Sequence, residues 1–195
     1  NYEFDNRHTI LEIQAEMAGE SPFVTVTTDV LETRIDLVGG TVVSSLLLDY
    51  PVVLEEPDQK VNLLSSHGDN MFIAQSGLLS HQSAPNHTSP YQSERMAFEL
   101  AEGAEEIRVP LIWESDDGVH VTKTFIFKRG RYDITVRHQL ENRSAGAWTG
   151  SRYDQLQRSV PASDDDGGFT NPGRYSFNGI AFYSPDEKFE KVDFE

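Results

Sequence analysis

Apolar and polar side chains alternate along most of this 195-residue chain. In residues 31–37, "LETRIDL", the aliphatic and threonine side chains fall on one side and the charged side chains on the other. The same alternation recurs in residues 107–113, "IRVPLIW", and in residues 132–141, "YDITVRHQLE". A period of two residues is what a strand with one buried face requires, whereas an amphipathic helix requires a period near 3.6. The pattern therefore predicts that the chain folds mainly into β-sheet.

Three consecutive segments predict an antiparallel meander between residues 107 and 140. "SDDG" (115–118) and "KRGR" (128–131) supply the turns between them, and Gly130 can take the positive φ that a tight turn needs. Pro110 has no N–H to donate, which favours an edge strand or a bulge at that position. Further strands are predicted near residues 24–30, 42–48, 61–65, 70–76 and 96–101. Many short strands separated by turn residues indicate an all-β, mainly antiparallel sandwich.

Sequence typical of helices is scarce and confined to two short segments. Residues 8–18, "HTILEIQAEMA", have apolar side chains at helical spacing. Residues 1–20 are therefore predicted to form a short helix or a tether, followed by a β-sandwich domain over residues 21–195. Residues 184–191, "SPDEKFEK", begin with a serine N-cap, a proline at the first helical position and the glutamate of a capping box. This segment predicts a second short helix.

The charge balance and the absence of cysteine exclude several classes of function. The chain carries 32 acidic and 16 basic residues, which gives a formal net charge of −16. Such a surface repels phosphate backbones and anionic lipid headgroups, so nucleic acid is excluded as a partner. Without cysteine there are no disulfides, thiolate nucleophiles or cysteine-ligated metals. No run approaches the roughly 20 apolar residues of a transmembrane helix, so we expect this piece of chain to be soluble.

The residue types that carry catalysis or bind metals do not form a recognisable constellation. The six histidines lack zinc-ligand spacing, and His138, on the apolar side of its strand, favours a hydrogen-bonded core histidine. Ser76 in "AQSGL" lacks the first glycine of a GxSxG nucleophile elbow. "DDDGG" (164–168) resembles a calcium loop only loosely, because the acid-x-acid-x-acid-Gly order is missing. The sequence therefore predicts no catalytic residue, no metal site and no cofactor, and the protein is not expected to be an enzyme.

A basic hairpin at residues 122–140, "TKTFIFKRGRYDITVRHQL", stands out in this acidic chain. Five of the 16 basic residues lie between Lys123 and Arg137, so an acidic partner or a phosphate ligand is one interpretation. Lys123 shares a face with Phe125, however, while Lys128 is on the opposite face and two arginines are at the turn. Because these charges do not converge, the pattern favours a structural role over a binding site.

Aromatic side chains are concentrated in the last 27 residues. They can fill a core, or they can form a surface that docks a partner, because aromatic residues dominate the anchors of protein interfaces. The candidate partner-contact residues are Phe169, Tyr175, Phe177, Phe182, Tyr183 and Phe189.

Five segments resemble, in the same order, the large periplasmic domain of YidC-type membrane protein insertases of Gram-negative bacteria. They are "VTTDVLETRIDLVGG", "AQSGL", "ELAEG", "VTKTFIFKRGRYDITVRHQLEN" and "AFYSPDEKFEKVDF". The resemblance extends from about Val24 to Phe194, which is nearly the whole chain, and "TKTFIFKRG" and "YSPDEKFEK" are its most specific parts.

The resemblance implies a β-supersandwich similar to the galactose mutarotase fold, on the periplasmic side of the inner membrane. It implies a membrane-embedded parent protein that inserts and folds membrane proteins, alone or with the Sec translocon. The implied partners are accessory subunits of the Sec translocon and nascent membrane proteins. The family's domain continues past the equivalent of Glu195, so this chain is expected to be a truncated portion. A carbohydrate-binding or aldose-epimerase-like domain is the alternative, which rests on the implied fold alone.

Overall fold

The computed structural model describes residues 22–67, 71–159, 179–186 and 188–193. These ranges contain strands and no helix, so no described segment is a helix that could cross a bilayer. The strands are β1 (Phe23–Thr27), β2 (Leu31–Asp36), β3 (Thr41–Pro51), β4 (Lys60–Ser65), β5 (Phe72–Ser80), β6 (Ala97–Glu99), β7 (Glu106–Glu114), β8 (Val119–Lys128), β9 (Ile134–Asn142), β10 (Gly150–Arg158), β11 (Gly179–Ser184) and β12 (Lys188–Asp193).

Seven strands form one sheet, in the order β10-β5-β4-β3-β2-β1-β6. Its neighbours pair antiparallel except for β1 and β6, which pair in parallel. The alternation seen in the sequence decides which face is buried, because Leu31, Thr33 and Ile35 of β2 are all buried. The predicted strand at residues 31–37 is thus confirmed as β2.

Strands β7, β8 and β9 form a separate three-stranded antiparallel sheet in that order. This arrangement confirms the meander predicted for residues 107–140. Strand β7 is at an edge of the sheet, and Pro110 is paired with Thr124 of β8. The Ile112 N–H donates to the Gln92 carbonyl on the side away from β8, and the Pro110 nitrogen, two residues earlier, points the same way. The missing N–H of the proline therefore removes no hydrogen bond to β8, as the sequence indicated.

The hydrophobic core lies between these two sheets. The seven-stranded sheet contributes Val24, Val26 and Ile35, and the three-stranded sheet contributes Phe125 and Phe127, all of them at most 1% exposed. Each such side chain stabilises the fold by roughly 1.5–3 kcal/mol when it is fully buried. The all-β, mainly antiparallel sandwich is confirmed, whereas its likeness to galactose mutarotase stays a prediction.

Strand β10 was not predicted. Its sequence, "GSRYDQLQR", is dominated by polar residues and none of its side chains is buried, so hydrophobic alternation gives no signal there. It forms because nine consecutive residues pair with β5, from Gly150 with Ser80 to Arg158 with Phe72. Backbone pairing to a neighbouring strand therefore specifies this element.

The helix predicted for residues 184–191 is wrong. Strands β11 and β12 form a two-stranded antiparallel sheet that turns at Pro185 and Asp186. Lys188 takes a positive φ of 64° and its ammonium donates to the Pro185 carbonyl at 3.0 Å. Serine, proline and aspartate favour turns as well as helix N-termini, and here pairing across the hairpin decides between the two. The helix or tether predicted within residues 1–20 lies outside the described residues.

The chain divides into two compact units, residues 1–158 and residues 159–195. The first contains the two large sheets, and the second contains the β11–β12 hairpin.

Candidate functional site

Half of the predicted partner-contact residues are on the β11–β12 hairpin. Phe182 and Tyr183 are on β11 and Phe189 is on β12. The other three, Phe169, Tyr175 and Phe177, lie outside the described residues.

Both faces of this hairpin carry apolar side chains. Tyr183 is directly opposite Phe189, and Ile180 is opposite Val192 on the other face. Tyr183 is 68% exposed and Phe189 is 61% exposed, and the ammonium of Lys191 is 5.9 Å from the centre of the Phe189 ring. Aromatic pairs across a hairpin stabilise it only modestly, and an isolated two-stranded hairpin is marginally stable in water. The hairpin thus presents apolar and aromatic area that a partner could cover.

Two arginines of the basic hairpin make contacts within the protein. The Arg129 guanidinium donates to the carbonyls of Ala101 and Ala104 at 2.8 and 2.9 Å. Arg131 is paired with Asp133 at 2.8 Å. These contacts confirm the structural interpretation for both arginines.

Lys123 lies in the core between the two large sheets rather than on the surface. Its side chain is fully buried, on the same face of β8 as a valine and a phenylalanine, where an apolar residue would be expected. The ammonium donates to the carbonyls of Gly39 and Gly40 at 2.8 Å and to the carbonyl of Ser76 at 2.9 Å. An ammonium has three N–H donors, and all three are used. The buried charge is therefore fully hydrogen-bonded, as burial of a charge requires.

The paired glycines make this arrangement possible. Gly39 and Gly40 have φ values of 76° and 54°, which side-chain-bearing residues rarely adopt. A Cβ on Gly40 would lie 3.2 Å from the Lys123 Nζ, and a Cβ on Gly39 would overlap the backbone of His87. Two consecutive carbonyls can point at the same ammonium only because neither residue has a side chain.

Aromatic rings complete the surroundings of Lys123. Its Nζ is 5.7 Å from the centre of the Tyr91 ring and 5.4 Å from that of Phe125. Burial lowers the pKa of Lys123 to about 7, an effect that Asp154 opposes and Arg152 reinforces. The three carbonyl dipoles favour the charged form and act in the same direction as Asp154.

His138 is the cross-strand partner of Lys123, on β9. Its position on the inner side agrees with the sequence, but the predicted hydrogen bond is wrong, because neither ring nitrogen has a partner among the described residues. Burial, together with the positive charges of Lys123 and Arg152, lowers the pKa of His138 to about 4 against the opposing effect of Asp154. A histidine at this position is therefore neutral over most of the pH range.

Strand β10 contributes polar groups that connect the two sheets at one edge. The Arg152 guanidinium donates to the Val136 carbonyl of β9 at 3.1 Å and pairs with Asp154 at 2.7 Å. On the same strand, the Tyr153 hydroxyl accepts from the His87 amide at 2.9 Å and is 2.6 Å from the His87 Nδ1. Polar contacts thus tie β10 to β9 and to the loop that contains His87.

A cleft of about 220 Å³ opens between the sheets next to Lys123. Gly40, Ser76 and Phe125, which all contact or adjoin Lys123, are also part of its wall. The side-chain amides of Gln75 and Gln155, in the same wall, hydrogen-bond to each other at 2.8 Å. The cleft therefore shares its wall with the contacts of the buried ammonium.

The hydrogen bonds of Lys123 hold segments of the interior together and leave the charged ammonium no means of reacting as a nucleophile. The Lys123 nitrogen donates all its protons to carbonyls and, when charged, has no lone pair for nucleophilic attack. In the part of the chain that the structure describes, no three histidine or acidic side chains come close enough together to hold a metal ion.

Sequence reasoning placed Lys123 on the apolar face of β8 but missed its partners. The usable signal was a lysine in a position where valine or phenylalanine is expected from the alternation. Its carbonyl partners come from "LVGG" and "AQSGL", which are 83 and 47 residues away in the chain. No local pattern connects segments at those separations.

Comparison with known proteins gives one consistent family. A family model described as the YidC periplasmic domain matches residues 23–195. A protein named membrane protein insertase YidC from Methylococcus capsulatus is 39% identical over 193 residues, which cover 98% of this chain and 34% of the relative.

Relatives of the same name show similar coverage. The one from Thioalkalivibrio sulfidiphilus is 39% identical over 180 residues, covering 88% of this chain and 31% of the relative. The one from Pseudomonas putida is 37% identical over 182 residues, covering 91% and 32%. The chain thus spans about a third of the length of these relatives. The match of the family model over residues 23–195 and these identities confirm the resemblance: the chain belongs to the family of YidC periplasmic domains, which lie on the periplasmic side of the bacterial inner membrane.

Proposed function

We propose that this domain is a non-catalytic interaction module of a membrane protein insertase. In this role it supports the insertion and folding of inner-membrane proteins, alone or with the Sec translocon. The observation that carries the proposal is the exposed Tyr183–Phe189 pair on the β11–β12 hairpin. The two proteins with 39% identity, each named as a membrane protein insertase, support the parent activity.

The hairpin has the properties of a docking element. Large aromatic side chains are the residues that most often anchor protein interfaces. Tyr183 and Phe189 are adjacent across the strands and both are more than half exposed, so one partner pocket could cover both. Accessory subunits of the Sec translocon and nascent membrane proteins are the proposed partners. Phe169, Tyr175 and Phe177 are proposed for the same contact surface, and Phe182, on the opposite face of the hairpin from Tyr183, is proposed as a contact of that second face.

The contacts of the interior support a role without catalysis. Among the buried described residues that could act as a nucleophile, Lys123 has the pKa that is shifted most. Its ammonium is enclosed by three carbonyls. An active-site lysine needs an unshared electron pair facing its substrate. We therefore place the function of this domain at its surface.

The test is co-purification of the intact insertase with the Sec translocon accessory subunits. Tyr183→Ala combined with Phe189→Ala is expected to reduce the recovered subunits at least several-fold, because the double change removes both anchors. Leu54→Ala is the matched control, since Leu54 is 86% exposed on the other compact unit. Equal recovery from the double variant and from the control would discard the hairpin as the contact surface.

A calorimetric titration with simple sugars separates the carbohydrate-binding alternative. The interaction module is expected to give no binding heat. Micromolar sugar binding would replace the proposed role with the alternative.

A further inference from the structure

We propose that Lys123 is a proton-dependent latch that controls how firmly the two sheets close around the cleft beside it. The inference is independent of the hairpin and of the partners proposed above. It concerns a conformational change within the sandwich.

The first step is the number of segments that one ammonium holds. Lys123 is on β8 of the three-stranded sheet, and its three carbonyl partners are in the β2–β3 turn and on β5 of the other sheet. A single side chain thus crosses the core and ties two separate segments of the opposite sheet. Its charge makes these hydrogen bonds stronger than neutral ones.

The second step is what happens when a proton leaves. A neutral amine has two N–H donors and one lone pair, so it can satisfy two of the three carbonyls, and its lone pair repels the third. Gly40 and Ser76 carry two of these carbonyls and also line the cleft. Release of either carbonyl would therefore loosen the cleft wall at that point.

The third step is the set of charged groups around the amine. His138 faces it from β9, Arg152 and Asp154 face it from β10, and Tyr91 faces it from the loop before β6. The β2–β3 turn and β5 present the carbonyls themselves. His138 is neutral near pH 7, because its own pKa is about 4, and burial raises the pKa of Tyr91. Lys123 is thus the group of this cluster that changes charge near neutrality, where burial places its pKa at about 7.

The latch has a signature that ordinary loosening lacks. Because burial favours the neutral amine in the folded protein, the domain as a whole gains stability as pH rises above 7. Over the same range the latch loses one of its hydrogen bonds. Local loosening and global stabilisation should therefore occur together, whereas partial unfolding would loosen the cleft wall and lower the stability of the domain.

The experiment is a nuclear magnetic resonance titration of this 195-residue chain between about pH 6 and 9. The ¹³C shift of the Lys123 Cε reports the protonation of the amine directly, and the carbonyl ¹³C shifts of Gly39, Gly40 and Ser76 report the latch. We expect all four signals to titrate with one common midpoint. After correction for the base-catalysed rise of the intrinsic rate, hydrogen exchange of amides next to Gly40 and Ser76 should increase at least several-fold across that midpoint.

Three variants assign the titration to its source. Lys123→Met should abolish the carbonyl titration, whereas Lys128→Met, at the exposed end of the same strand, should leave it unchanged. His138→Gln should also preserve it, because His138 is already neutral in this range.

Three outcomes would overturn the latch. They are a Lys123 Cε signal that does not titrate between about pH 6 and 9, carbonyl signals that stay constant while the amine titrates, and a titration that disappears in His138→Gln. The Cε and carbonyl signals are measured on the unaltered chain, so they decide the matter even if Lys123→Met fails to fold.

Discussion

Strands β8 and β11 both carry neighbouring aromatic residues, yet they behave in opposite ways. In β8, Phe125 and Phe127 are each 1% exposed, whereas in β11, Phe182 is 40% exposed and Tyr183 is 68% exposed. Strand β8 is central in its sheet and packs against the seven-stranded sheet, while β11, among the described strands, pairs with β12 alone. Residue type is therefore a poor guide to burial. The number of layers that enclose a strand decides whether its aromatic residues build a core or remain available to a partner.

The comparison predicts that truncating one phenylalanine in each strand gives the largest difference in the free energy of unfolding. Phe125→Ala should lower the free energy of unfolding by about 3–5 kcal/mol, because it leaves a cavity between two packed sheets. Phe182→Ala should lower it by less than about 1 kcal/mol, because that ring is already partly hydrated. Urea denaturation followed by circular dichroism measures both values. Equal losses would mean that the two strands are equally enclosed.

The buried lysine predicts a rise of stability with pH that belongs to the sandwich. The pKa of Lys123 is about 7 in the folded protein and 10.5 ordinarily, so the unfolded chain binds more protons between these values. The free energy of unfolding should increase between about pH 7 and 10 by on the order of 1 kcal/mol per pH unit relative to Lys123→Met. Urea titrations of both proteins at several pH values test this. A parallel pH dependence in the two proteins would contradict the role assigned to this side chain.

His138 predicts a smaller effect on the acid side. Its pKa is about 4 when folded and 6.5 ordinarily, so the stability it contributes is complete above pH 6.5 and is lost as the pH falls through 4. We expect a loss of about 2 kcal/mol over this window, because burial first and the positive charges of Lys123 and Arg152 second disfavour a charged imidazole. His138→Gln should remove that part of the acid sensitivity. The prediction fails if the variant loses stability between pH 6.5 and 4 as steeply as the unaltered protein.

The strands that were predictable from sequence are those in which buried apolar side chains recur at every second residue. The β7–β8–β9 meander was predictable because most of its inward side chains are apolar and its turns contain glycine or aspartate. Strand β10 was not, because its side chains are polar on both faces and only its pairing with β5 specifies it.

Two features of the candidate sites were outside the reach of local patterns. The helix signal at residues 184–191 failed because serine, proline and aspartate also begin turns, and the pairing of Tyr183 with Phe189 favours the hairpin. The partners of Lys123 are backbone carbonyls, which every residue possesses. Only the folded arrangement of the two sheets shows which of them meet the ammonium.

The central claim is that this domain works through surface contacts made by the β11–β12 hairpin while the sandwich holds its shape. Hydrogen exchange measured by mass spectrometry on the intact insertase, with and without the Sec translocon, tests it most directly. We predict slower exchange of the amides in residues 179–193 in the complex, with no change in residues 119–128 of β8. Unchanged exchange in the hairpin when the complex has formed would contradict the account.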